Sequence, residues 1–162
     1  RQDTSPRPLV NSTRLDPSHE RAAVLHSGGV KGFIDYRMAK RALVREVTRG
    51  TVRVEDVCDA HPELLRAARN VGTVTERRCP ICLLADDRAD VPRDEAQTLR
   101  TVTYVYGGDL NRRNGHVVWN REELEGLAAS HQSFTAYVVE CCLVCGWNHL
   151  VESSLHGRAH AG

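Results

Sequence analysis

Two Cys-x-x-Cys pairs, Cys79-Pro80-Ile81-Cys82 and Cys142-Leu143-Val144-Cys145, hold the residues best suited to chemistry in this sequence. A turn of this kind places two thiolates on one side of a metal ion, and a second turn closes a tetrahedron around it. Zinc has no geometric preference from its d electrons and settles among soft ligands of this type, so Zn is the expected cofactor. Pro80 presets the first turn, and Gly146 relieves crowding where the chain passes the second pair. Four thiolates leave no open coordination position for water. The ion is therefore expected to be structural, and the protein is not expected to be an enzyme.

Other assignments of the same residues are weaker. A redox dithiol at Cys79 and Cys82 lacks the strand-to-helix setting of such motifs and leaves the second pair unexplained. A deaminase-like zinc site using His61 and Glu63 with Cys79 and Cys82 has its proline after the first cysteine, a short spacing, and two stranded cysteines. Cys141 competes with Cys142 as a ligand, but the two-residue spacing to Cys145 favours Cys142. His149, four residues past Cys145, is a further substitute. Cys58 lies in a short apolar helical stretch and reads as a small buried residue.

Composition narrows the functional classes. The chain has 162 residues, 41% hydrophobic and 27% charged, enough for one domain with a core of its own. A net charge of +1 excludes a chain that is basic throughout. The balance is uneven: residues 1–70 carry 13 Arg or Lys against 9 Asp or Glu, and residues 71–162 carry 9 against 12. An acidic partner would meet the first half. No apolar run is long enough to span a bilayer, and no signal-peptide core follows the first residues. A cytoplasmic location is expected, where thiols stay reduced and bind metal more readily than they form disulfides.

The elements that must position the cysteines can be read in order. Residues 1–32, rich in Ser, Pro, Gly, Arg and Asp, read as a flexible leader that contributes little to the fold. Residues 33–72 read as a cluster of three helices: 33–49, ended by Gly50; a short one at 54–58; and 62–71, with Pro62 in its first turn and Gly72 after its end. Residues 73–155 read as an enlarged zinc-ribbon-like β module. Its strands lie at 99–106, 116–119, 134–141 and 147–155, with an acidic loop at 86–95 and an inserted helix at 120–129 opened by an Asn120/Glu123 capping box. Residues 156–162 form a tail. The expected class is α+β.

On the first helix Arg37, Arg41, Arg45 and Arg49 recur at four-residue steps, with Lys40 beside them, opposite an apolar side of Tyr36, Ala39, Leu43 and Val47. Residues 31–53 hold seven basic and two acidic side chains, and arginine suits phosphate and carboxylate recognition. A solvated helix face is the plain alternative. A helix-turn-helix formed by the second and third helices would be poor in base-reading side chains.

Three stretches together carry a family resemblance: Asp35-Tyr36 with the basic helix after it; Val57-Cys-Asp-Ala-His-Pro-Glu-Leu-Leu-Arg-Ala-Ala; and Val138-Val-Glu-Cys with Cys145-Gly-Trp-Asn-His-Leu. They resemble an uncharacterised family of small actinobacterial proteins, a domain of unknown function, over residues 33–155. The resemblance implies a paired Cys-x-x-Cys site at Cys79, Cys82, Cys142 and Cys145, and attaches no activity to it. The acidic loop at 86–95 is longer than the resemblance suggests.

The expected function is thus a non-enzymatic zinc-binding adaptor. It would use Arg37, Lys40, Arg41, Arg45 and Arg49 to dock on nucleic acid or on a nucleic-acid machine such as RNA polymerase or the ribosome. No membrane partner and no small-molecule substrate are expected. A zinc-dependent or thiol-redox enzyme, and a protein–protein module unrelated to nucleic acid, are the alternatives.

Overall fold

A computed structural model describes residues 32–85 and 97–160. The leader, apart from Gly32, and the acidic loop fall outside the described residues. The class is α+β: six strands in one antiparallel sheet, with helices on both faces. The strands are β1 (Phe33–Asp35), β2 (Thr73–Arg78), β3 (Thr98–Tyr106), β4 (His116–Val118), β5 (Phe134–Cys141) and β6 (Asn148–His156). The helices are α1 (Arg37–Thr48), α2 (Val54–Val57), α3 (Pro62–Val71), α4 (Pro80–Ala85) and α5 (Arg121–Ser130).

β3 is the hub. It pairs with β5 from Arg100 to Tyr106, and β6 and then β1 follow outward from β5. Its other edge is shared end to end, with β2 against Thr98–Thr101 and β4 against Thr103–Val105.

Successive side chains of a strand point to opposite faces, so β3 and β5 sort the core by residue parity. Val102, Tyr104, Val139 and Cys141 face α3, whose Leu64 and Ala68 lie one turn apart and are fully buried against them. Leu99 lies on the other face with Trp147, Val57 and Val47 of α1. Val105 and Ala136, farther along that second face, meet Leu127 of α5.

Local chemistry sets the helix ends. Pro62 occupies the first turn of α3, and His61 Nδ1 accepts the Glu63 N–H at 3.1 Å. Asn120 Oδ1 accepts the Glu123 N–H at 2.9 Å to open α5. The returning Glu123 carboxylate bonds the Trp119 N–H, one residue before the position that a capping box uses.

Three sequence expectations need correction. The helix read at 33–49 starts only at Arg37. Phe33–Asp35 instead pairs with the outer edge of β6, and the Asp35 carboxylate accepts the Arg37 N–H at 2.8 Å where the helix begins. Thr73–Arg78, which lies outside the strands read from the sequence, is a strand because β3 offers it an open edge. The helices of residues 33–72 are also divided between the two faces of the sheet, with Val47 of α1 and Val57 of α2 in one core and α3 in another. α3 lies on β3 and β5, while α1 lies against β6 and α4. Their apolar sides are completed by the sheet. The short 3-10 turn Arg158–His160 ties the end of the chain back through backbone bonds to His131 and Gln132.

Candidate metal centre

The four cysteines arrive from two directions. Cys79 follows β2, and Cys82 sits in α4, which Pro80 opens at the position where a missing N–H costs nothing. The first pair therefore does lie at a strand-to-helix junction, contrary to the sequence expectation, and what now sets it apart from a lone redox dithiol is the second pair brought against it. Cys142 follows β5 directly, and Cys145 closes the turn before β6. The Cys142 N–H bonds the Trp147 carbonyl at 2.9 Å, and the Gly146 N–H bonds the Cys142 carbonyl at 3.0 Å. Gly146 has φ +83°, and a Cβ there would stand 3.0 Å from the Cys58 carbonyl oxygen. The crowding that requires glycine therefore comes from the α2–α3 connection.

The four Sγ atoms all lie within 4.8 Å of one another. Cys79 and Cys145 sulfurs are 3.5 Å apart, and Cys82 and Cys142 sulfurs 3.8 Å. Cys79 and Cys142 are fully buried, and Cys145 is half-buried. Among the described residues no other group of His, Cys, Asp or Glu converges in this way. Four converging sulfurs could hold a metal ion.

The electrostatics point the same way. Thiol hydrogen bonds from Cys142 and Cys79, with the Trp147 N–H at 3.4 Å, hold Cys145 well below the usual thiol range. Burial, and then the neighbouring sulfurs, push Cys82 up to about 12. Cys79, hydrogen-bonded to Cys142 and Cys145, is raised as well. One thiolate forms readily here and further ones repel it, so several thiolates together need a cation.

Parity resolves the neighbouring cysteines. Cys141 is the last residue of β5 and faces α3 beside Val139, where burial raises its thiol to about 12. Cys142, one residue on, faces the sulfur cluster. His149 stays out of that cluster: it stacks on Trp147 with ring centroids 5.8 Å apart, and its Nδ1 lies 2.6 Å from the Leu150 carbonyl. His61 is engaged at the start of α3. Accordingly, Cys141→Ser and Cys58→Ala should each retain the metal of the parent protein in elemental analysis. Loss of metal from Cys141→Ser would show that the chosen neighbour is wrong.

The Val57-Cys-Asp-Ala-His-Pro stretch acquires a structural role. Its Ala60 N–H bonds the Gly146 carbonyl at 2.9 Å, and Asp59 accepts from the Asn148 amide at 3.0 Å. It buttresses the second cysteine turn from behind.

The basic face of α1 is more varied than its spacing suggests. Arg37, Arg41, Arg45 and Arg49 are all exposed. Arg37 pairs with Asp35 at 2.7 Å and Arg49 with Glu46 at 3.6 Å, while Arg41 and Arg45 form no ion pair among the described residues. Lys40 turns inward, with Nζ 2.7 and 2.9 Å from the two oxygens of Glu140, which also accepts from the Trp147 indole at 3.4 Å. Sequence reasoning missed Arg77. It joins Arg37, Lys40 and Arg41 around a cavity of about 180 Å³ beside Glu140. An arginine on an isolated edge strand carries no periodic signal that would associate it with a helix.

The fold and the four-thiol cluster define an α+β protein with a candidate tetracysteine metal centre. The chain belongs to DUF5318, a family of unknown function, whose model matches residues 29–162. It is 40% identical over 126 residues to an uncharacterized protein of Mycobacterium bovis, and equally so to uncharacterized proteins of two Mycobacterium tuberculosis strains. Each match covers 78% of this chain and 82% of the relative. No solved structure matches. No helix among the described residues is long and apolar enough to cross a membrane.

Proposed function

We propose that this chain is a non-enzymatic, zinc-binding adaptor of the cytoplasm. Its basic helix docks on nucleic acid or on nucleic-acid-bound machinery such as RNA polymerase or the ribosome. Zinc is supported by the size of the cluster. A zinc–thiolate distance of about 2.3 Å gives a tetrahedron edge of roughly 3.8 Å; the Cys79–Cys145 and Cys82–Cys142 sulfurs lie 3.5 and 3.8 Å apart, and all four lie within 4.8 Å of one another. Cys79, Cys82, Cys142 and Cys145 would hold the ion, which would supply cross-linking between β2–α4 and the β5–β6 turn.

The observation that carries the docking reading is the exposed row Arg37, Arg41, Arg45 and Arg49. It lies along a helix of 12 residues, about 18 Å long at a rise of 1.5 Å per residue, opposite the side held on the core. Such a row can follow successive phosphates. Lys40 belongs to the same basic face by position, with its ammonium balanced by Glu140, and Arg77 extends the face across the cavity.

The test is charge reversal at all four arginines, read by anisotropy of labelled RNA and DNA over a salt series. Wild type should bind with a log–log salt slope of roughly 0.7–0.9 per phosphate contacted, and the four-Glu variant should lose binding. Arg45 and Arg49 also favour the C-terminal end of the helix dipole, so a four-Gln variant controls for stability. Unchanged binding in the four-Glu variant would reduce the row to a solvated face. Capture that free RNA or DNA does not compete would identify an acidic protein partner instead.

A further inference from the structure

The face of the sheet opposite the cysteines carries a cleft of about 490 Å³ between α3 and the β3–β4 pair. That size falls within the range of small-molecule sites. Ala67 and Val71 of α3 form one wall, and Val117 of β4 the other. Tyr104 of β3 lines it and is only 2% exposed, yet its Oη has no hydrogen-bond partner among the described residues. A buried hydroxyl without a partner is costly, typically about 1–3 kcal/mol, so native structures rarely keep one idle. Burial, and then Tyr106, also pushes this phenol up, so it remains a neutral donor.

At the mouth stands Trp119, 66% exposed in the link between β4 and α5. A large aromatic surface left in water beside a cavity is a stacking platform in waiting. The rim carries no net charge, because Glu63 and Arg66 pair at 3.6 Å. The Asn70 side-chain amide there offers both a donor and an acceptor.

We propose that this cleft binds a nucleobase: an uncharged planar ring that stacks on Trp119, meets Asn70 at the rim, and reaches Tyr104 Oη with an acceptor on its edge by opening the inner end of the cleft, where that hydroxyl is closed to water in the empty protein. The ring can come from a free nucleoside or from single-stranded nucleic acid. The site uses neither the metal nor the arginine row.

The experiment titrates the full chain with adenosine, guanosine, cytidine and uridine, and with a single-stranded oligonucleotide, following tryptophan fluorescence. The chain has two tryptophans and Trp147 is fully buried, so quenching reports Trp119. At least one of these ligands should give saturable quenching with a Kd in the millimolar range or below. By calorimetry, Trp119→Ala should weaken that ligand roughly tenfold or more, the loss of one base stack. Tyr104→Phe should weaken it by up to roughly tenfold while leaving the melting temperature unchanged or raised, because it deletes an unpartnered hydroxyl. Binding of the oligonucleotide much tighter than of the nucleosides would identify the strand as the source, and equal binding the free nucleoside. The four-Glu variant of α1 should keep nucleoside binding, which separates this site from the docking reading. No saturable quenching by any of these ligands, or unchanged affinity in Tyr104→Phe, would overturn the assignment.

Discussion

Cys142→Ser is expected to strip the metal from the purified protein and to lower its stability by several kcal/mol, the largest effect of any single substitution proposed for this chain. The sulfur cluster is part of the core: Cys79, Cys82 and Cys142 pack with Trp147, Ile81, Leu99, Val47 and Val57. A bound ion would join two segments 59 residues apart in sequence, so its loss would release α4 and the β5–β6 turn together. Structural zinc contributes on the order of 10 kcal/mol of apparent binding energy in small domains that have little else. Here three apolar cores share the task, so partial unfolding is expected in place of complete unfolding.

The measurement is elemental analysis of reduced protein together with melts with and without a chelator. Wild type should carry about one zinc per chain, and each of the four serine variants should carry far less. Cys145→Ser, at the half-buried corner, should disturb the packing least while losing the metal equally. A wild-type protein that is fully folded and metal-free would end the zinc reading.

Lys40→Met should destabilise the protein by about 3–5 kcal/mol, although it changes a side chain on the edge of a surface helix. The reason lies on the sheet. Glu140 is 1% exposed, and Lys40 Nζ bridges both of its oxygens. Without the ammonium, a buried carboxylate would retain, among the described residues, only the Trp147 indole donor at 3.4 Å. The double variant Lys40→Met/Glu140→Gln should recover most of the loss, since the amide oxygen can still accept from Trp147 and no charge is stranded. Urea unfolding of the two variants decides the point. A single variant within about 1 kcal/mol of wild type would show that the pair is solvated and contributes little. The pair also distinguishes Lys40 from its neighbours, because an ammonium bound to Glu140 is less available to a partner than the guanidinium of Arg41.

The cysteine pairs were legible because their information is local: a two-residue spacing already dictates that both sulfurs can face one ion. The same holds for α3, where Pro62, the Leu64/Ala68 step and Gly72 announce the start, face and end of a helix of 10 residues. The long strands β3, β5 and β6 also show in their β-branched and aromatic runs.

What the tertiary structure decided is partnership across distance. Phe33–Asp35 continues a helical pattern in sequence, yet it becomes a strand because β6 leaves an edge free. Whether Cys141 or Cys142 faces the cluster depends on which face of β5 meets α3 and which meets α4, and pairing with β3 settles that. Lys40 differs from Arg41 by one position on the helix, and only the placement of Glu140 across the sheet turns it inward. The cleft at Tyr104 and Trp119 has no sequence signature, since it arises where α3 and β4, 45 residues apart, cover the same end of β3 incompletely. Spacing along the chain sets which side chains share a face; only the folding of separate segments onto one sheet sets what each face meets.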